Sequence, residues 1–129
     1  VDAKNVHYSA KNYKLSDDNG NQVIELDLEI DGQSRRVRGE GNGPISAILD
    51  ALQLPIDVVN YEERSISSGA HAKALALIEL QVKGTGKSAF GAGVHDNIVT
   101  SSIEAIIAST NRLIDQGVLS TDQVIAAAV

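Results

Sequence analysis

A chain of 129 residues, 43% apolar and 22% charged, can bury one core of useful size and has the balance of a single folded domain. Its formal charge is −6, with 11 Lys and Arg against 17 Asp and Glu and no basic run, which argues against a nucleic-acid surface. The lack of cysteine excludes disulfides, thiolate catalysis and cysteine metal sites, and no apolar run approaches the roughly eighteen residues of a membrane span.

With only 3% aromatic residues, the core must be filled by Ile, Leu, Val and Ala. His7 to Leu15 alternate loosely. Gln22 to Ile30 alternate clearly, Val23, Glu25, Asp27 and Glu29 opposing Ile24, Leu26, Leu28 and Ile30, as a half-buried strand requires. Asp17-Asp18-Asn19-Gly20-Asn21 between them is turn chemistry. Asp31-Gly32 predicts a tight hairpin whose return strand is Ser34 to Gly39. The stretch Arg38-Gly39-Glu40-Gly41-Asn42-Gly43-Pro44 then runs into a helix with Ile45, Ile48, Leu49 and Leu52 on one face, ended by Pro55.

Asp57 to Ser67 reads as a fourth strand and Ser67 to His71 as a loop. Ala74 to Val82 reads as a fifth strand, because Ile78, Leu80 and Val82 alternate with Glu79 and Gln81. Gly84-Thr85-Gly86 turns the chain into a short strand, Ser88 to Gly93. After Asp96 and Asn97 a long helix keeps Ile98, Ile103, Ile106, Ile107, Leu113 and Ile114 at helical spacing, with Gly117 as its stop. Ser120 opens a short helical tail, Thr121 to Ala128. The order strand-strand-strand-helix therefore occurs twice. The predicted fold is α+β: two βββα units, about 1–54 and 55–117, related by a pseudo-twofold axis, with a tail at 118–129. The alignment of the halves rests on Gly41-Asn42-Gly43 against Gly91-Ala92-Gly93.

Several tempting motifs fail on their chemistry. Gly84-Thr85-Gly86-Lys87-Ser88 resembles the end of a phosphate-binding loop, but Gln81 stands where a glycine is needed and no helix follows Ser88. Asp17, Asn19 and Asn21 have calcium-loop spacing, yet Leu28 occupies the position of the bidentate Glu. His7, His71 and His95 are scattered, and Glu62-Glu63 reads as one solvated and one inward position on a strand rather than a catalytic pair. A binding or regulatory module is therefore favoured over an enzyme. The glycine stretch before the first helix is the candidate site. Pro44 at the first helical position leaves an exposed helix start whose amides and dipole suit a small carboxylate, although a plain strand-to-helix turn accounts for the same glycines.

Gly39-Glu40-Gly41-Asn42-Gly43-Pro44-Ile45, Tyr61 through Ala72, and Gly91 through Ser102 with Asn111-Arg112, taken in order, resemble the C-terminal regulatory domain of 2-isopropylmalate synthase over roughly residues 8 to 114. The resemblance implies two βββα units, a homodimer, and L-leucine bound as feedback inhibitor. It implies a catalytic TIM barrel elsewhere in the polypeptide, joining acetyl-CoA to 2-oxoisovalerate with a divalent metal. No catalytic residue, metal or cofactor is then expected in this fragment.

The leucine site implied comprises Gly41, Asn42, Gly43, Pro44, Ile45, Val58, Tyr61, Ser65, Ala72, Gly93, Val94 and Asp96, with Asp96 or local carbonyls as candidate partners for the ammonium group. Where family members often carry alanine, this chain has Ser65. The isoleucine-responsive domain of citramalate synthase is the close alternative, and a self-associating module without ligand is the other. A cytoplasmic protein is expected, since no charged-then-apolar leader opens the chain. Val1 in place of methionine suggests a piece of something longer.

Overall fold

In a computed structural model, which describes residues 8–68 and 71–119, two dipeptide turns set the first sheet. Asn19-Gly20 and Asp31-Gly32 take positive φ at all four positions, 55°, 86°, 53° and 79°, the conformation that joins adjacent twisted strands in two residues. They link β1 (Tyr8–Asp18), β2 (Asn21–Ile30) and β3 (Gln33–Gly41) into an antiparallel sheet of order β1-β2-β3. Helix α1 (Pro44–Leu52) follows. The second unit repeats the order with β4 (Ile56–Ser68), β5 (His71–Val82), β6 (Ser88–His95) and α2 (Ile98–Asp115), its sheet running β4-β5-β6. The expected α+β fold of two βββα units is the one observed.

Strands run further than their side-chain pattern predicts. β1 reaches Asp18, β3 reaches Gly41 and β6 reaches His95, because an antiparallel ladder continues until a turn demands another backbone conformation. The expected loop between the fourth and fifth strands narrows likewise: Ser68 pairs with His71. Its centre, Gly69 and Ala70, and the expected tail, Thr121 to Ala128, lie outside the described residues.

Each sheet buries one face under its helix. Ile24, Leu26, Leu28 and Ile30 in β2 and Ala76, Ile78, Leu80 and Val82 in β5 are buried together with Ile48, Leu52, Ile103, Ile106 and Leu113 in one core. α1 packs on β2 and β3, α2 on β5 and β6, and α2 also touches α1 and β1. Among the described residues, three side-chain hydrogen bonds fasten the units. The Asn111 side-chain amide accepts from the Tyr8 backbone N–H at 2.8 Å and donates to the Tyr8 carbonyl at 3.0 Å, and the Tyr13 and Thr100 hydroxyls meet at 2.9 Å.

The helices lie close to the sheets through small residues. A Cβ on Gly39 would run into the Ala47 carbonyl oxygen, and one on Gly93 into the Ser101 carbonyl oxygen. These two glycines are the matching pair of the repeat. Gly39 sits opposite Ile24 and Gly93 opposite Ala76, the first buried residues of the central strands, and the bulges at Ala10/Asn12 and Val58/Asn60 match as well. The sequence-based pairing of Gly41-Asn42-Gly43 with Gly91-Ala92-Gly93 is therefore out of step. Close helix contact selects glycine on β3 and β6, whereas the residue starting α1, Gly43, has Asn97 as its counterpart.

Candidate functional site

The repeat brings both helix starts to one cleft of about 280 Å³, just under the roughly 300 Å³ at which small-ligand pockets begin. Gly43, Pro44, Ile45 and Ser46 line it from α1. Ile98, Val99 and Ser102 line it from α2, and Tyr61 and Glu63 from β4. In the corrected alignment Pro44 and Ile45 correspond to Ile98 and Val99, so the same two positions of each unit form facing apolar walls. Two other clefts, about 330 and 380 Å³, lie on the sheets and each draws its lining from one unit alone.

The two helix starts differ in one respect that matters for binding. Asn97 caps α2, its side-chain oxygen accepting from the amides of Val99 at 2.8 Å and Thr100 at 3.2 Å. Gly43 has no side chain to do the same for α1. The first-turn amides of α1 are thus without a capping oxygen beside the cleft, where the helix dipole favours an anion. No acidic residue occupies that first turn.

Tyr61 reaches across the cleft and its hydroxyl meets that of Ser102 at 2.9 Å. Burial, chiefly, holds its phenol above the ordinary range. The Glu63 carboxylate adds to the rise, and the bond with Ser102 opposes it. The arrangement offers apolar walls, a set of amide donors at one end, and a phenol and a carboxylate on the sheet side. Such a cleft suits a small amphiphile carrying a carboxylate. Among the described residues no group of three or more His, Asp or Glu side chains could hold a metal ion.

The expected site residues divide into two sets. Gly43, Pro44, Ile45 and Tyr61 stand together in the cleft. Gly41 ends β3 next to it, and the Asn42 side chain accepts from the Ser46 hydroxyl at 3.3 Å. Val58 is half-buried against the core, while Ser65 and Ala72 are exposed on the cleft-facing side of the second sheet, beyond the lining. Gly93 lies beneath α2, Val94 points to the outer face at 48% exposure, and Asp96 is paired with Lys73 at 3.1 Å. The lining residues that sequence reasoning missed are Ser46, Glu63, Ile98, Val99 and Ser102. The signal for Ile98 and Val99 was their place directly after the helix start, as Pro44 and Ile45 stand in the first unit.

The family model described as the LeuA allosteric (dimerisation) domain matches residues 2–114. A 2-isopropylmalate synthase of Pseudomonas syringae pv. syringae is 36% identical over 112 residues, 87% of this chain and 20% of its own length. The enzyme of that name from Paraburkholderia phytofirmans is 40% identical over 107 residues, 83% of this chain and 18% of its own. That from Cupriavidus taiwanensis is 42% identical over 102 residues, 79% and 18% respectively. The chain spans about a fifth of the length of these relatives.

Proposed function

Because this chain belongs to the LeuA allosteric (dimerisation) domain family, we propose that it is the regulatory domain of a 2-isopropylmalate synthase and binds L-leucine in the cleft between its helix starts. The observation that carries the reading is that cleft: Gly43, Pro44, Ile45 and Tyr61, expected from the resemblance, converge there with a second apolar wall from Ile98 and Val99. The carboxylate of leucine meets the uncapped amides of α1, and its isobutyl group lies between the two walls. The domain, residues 1–117 with a tail at 118–129, works as a homodimer in a cytoplasmic enzyme. Its catalytic barrel and divalent metal lie in the remainder of the polypeptide.

Regulation follows from differential affinity. Leucine binds one arrangement of the dimer more tightly than the other and so shifts the barrel toward the less active state. Calorimetric titration of the 129-residue chain with leucine, isoleucine and valine tests the binding step. Leucine is expected to bind most tightly, with isoleucine weaker by about 1–3 kcal/mol, the range for a displaced methyl group in an apolar pocket. At leucine one hundred times its Kd, the native state gains about 2.7 kcal/mol and the melting temperature rises accordingly. Equal melting temperatures with and without millimolar leucine would overturn the proposal and leave a dimerisation module without ligand.

A further inference from the structure

Resting on the leucine reading of the cleft, a further assignment comes from two consecutive glutamates on β4. Strand alternation sends Glu62 and Glu63 to opposite faces. Glu62 lies on the outer face opposite Leu77, and its carboxylate pairs with Arg64 at 2.9 Å. Glu63 lies opposite the buried Ala76 and is, among the described residues, the one carboxylate lining the cleft. Among the described residues, no lysine or arginine forms an ion pair with it.

The repeat supplies an internal control. Glu63 sits opposite Ala76 as Leu15 sits opposite Ile24, so Leu15 is the first-unit counterpart, and it packs half-buried against the core. The fold accepts an apolar side chain at this register position. The carboxylate in the second unit stands instead beside a cleft with a donor-rich helix start and apolar walls, without a protein cation to satisfy it. Asp96, the other acidic candidate, is engaged by Lys73 and lies outside the lining.

We propose that Glu63 binds the α-ammonium group of the ligand and is the residue by which the cleft accepts an amino acid and rejects the matching 2-oxo acid. Leucine and 4-methyl-2-oxopentanoate share their carboxylate and isobutyl group. Only the ammonium distinguishes them electrostatically, and an ammonium held by a carboxylate makes a charge-assisted hydrogen bond that the oxo group cannot form.

Calorimetry of the unaltered chain with both compounds, and of Glu63→Gln, Glu63→Leu and Glu62→Gln, tests this. The unaltered chain is expected to favour leucine by roughly tenfold or more, the scale of one hydrogen bond to a charged group. Glu63→Gln and Glu63→Leu weaken leucine by a similar factor while the oxo acid binds no worse, so the ratio collapses toward one. Glu62→Gln leaves both affinities within about twofold, as expected of a solvated pair. Glu63→Leu copies the residue the first unit carries, so its melting temperature matches or exceeds that of the unaltered chain. A preserved ratio in the Glu63 variants, or an unaltered chain that binds the oxo acid as tightly as leucine, overturns this assignment and leaves the leucine cleft standing. An unaltered chain that binds no leucine overturns the cleft reading and this assignment with it.

Discussion

Gly93→Ala separates two roles for one residue. Read as part of the ligand site, Gly93 would lend a backbone amide and its substitution would weaken leucine with little effect on folding. The structure instead puts its α-carbon under α2, where a Cβ would collide with the Ser101 carbonyl oxygen and approach Glu104 Cβ to 2.8 Å. The first obstacle is backbone, so relief requires α2 to lift from the sheet. That helix carries Ile103, Ala105, Ile106 and Leu113 into the core that holds Ala76 and Ile78, and clearing the overlap takes a lift of roughly an ångström, which thins the contacts there. Overpacking of this kind costs about 1–3 kcal/mol, and backbone overlap argues for the upper end. Replacing glycine in an allowed conformation returns about 0.4–1 kcal/mol through the unfolded chain. The net expectation is a loss of about 2 kcal/mol, or a melting temperature lower by roughly 6–8 °C for a chain of this size. Urea denaturation followed by far-ultraviolet circular dichroism reads the loss, with an unchanged m value showing that the unfolded state is the same. Gly43→Ala is the comparison, since nothing lies within 4 Å of a Cβ there. If Gly93→Ala kept its stability within about 0.5 kcal/mol and lost leucine, the packing argument would be refuted.

Gly43→Asn copies the cap of α2 onto α1, so it should stabilise the fold by a few tenths of a kcal/mol and weaken leucine roughly tenfold by occupying the amides its carboxylate needs; denaturation and calorimetry read the two effects. Tyr13→Phe and Tyr61→Phe each remove a hydroxyl bonded at 2.9 Å to α2, and each should cost about 0.5–1.5 kcal/mol in urea titrations. A double-mutant cycle with Ser102→Ala should return most of the Tyr61 term. Burial pushes the Tyr8 phenol from 10.0 up to about 12, so the folded state favours its neutral form. That contribution is complete below pH 10 and is lost as pH climbs toward about 12, and stability measured against pH should show the decline in the unaltered chain and less of it in Tyr8→Phe. At the other end, Glu25, Glu40 and Glu79 sit below the ordinary carboxylate range, chiefly through hydrogen bonds from Arg36, Asn21 and Ser88 respectively. Their contribution is present above pH 4.5 and fades as pH falls below it.

Much of the fold is legible in short stretches. Asn19-Gly20 and Asp31-Gly32 announce their hairpins because few residues tolerate the positive φ those turns require. β2 announces itself because alternate residues face opposite solvents, and the same alternation separates Glu62 from Glu63. The stop of α2 is equally visible: Gly117 takes φ 76° while the amides of Val118 and Gly117 bond back to Leu113 and Ile114 at 3.0 and 2.9 Å. Helix faces are read less well. Ile45 and Leu49 have the spacing of core residues in α1, yet they are only half-buried and Ala47 and Ala51 take the inner face, because Gly39 draws the helix in close.

The glycines illustrate the remaining difficulty. Their spacing marks places where backbone is bare but does not say whether a ligand or a helix uses the space. Gly39 and Gly93 receive helices, and among the described glycines only Gly43 lines the cleft. Composition, turn dipeptides and strand alternation were enough to establish two βββα units, since each depends on residues adjacent in the chain. The membership of the cleft was not, because Pro44, Tyr61 and Val99 meet only after α2 has settled on its glycines. Tyr8 must also find Asn111, across 103 positions of sequence. Contacts of that range depend on how two finished units dock, and no pattern of neighbouring residues encodes a docking.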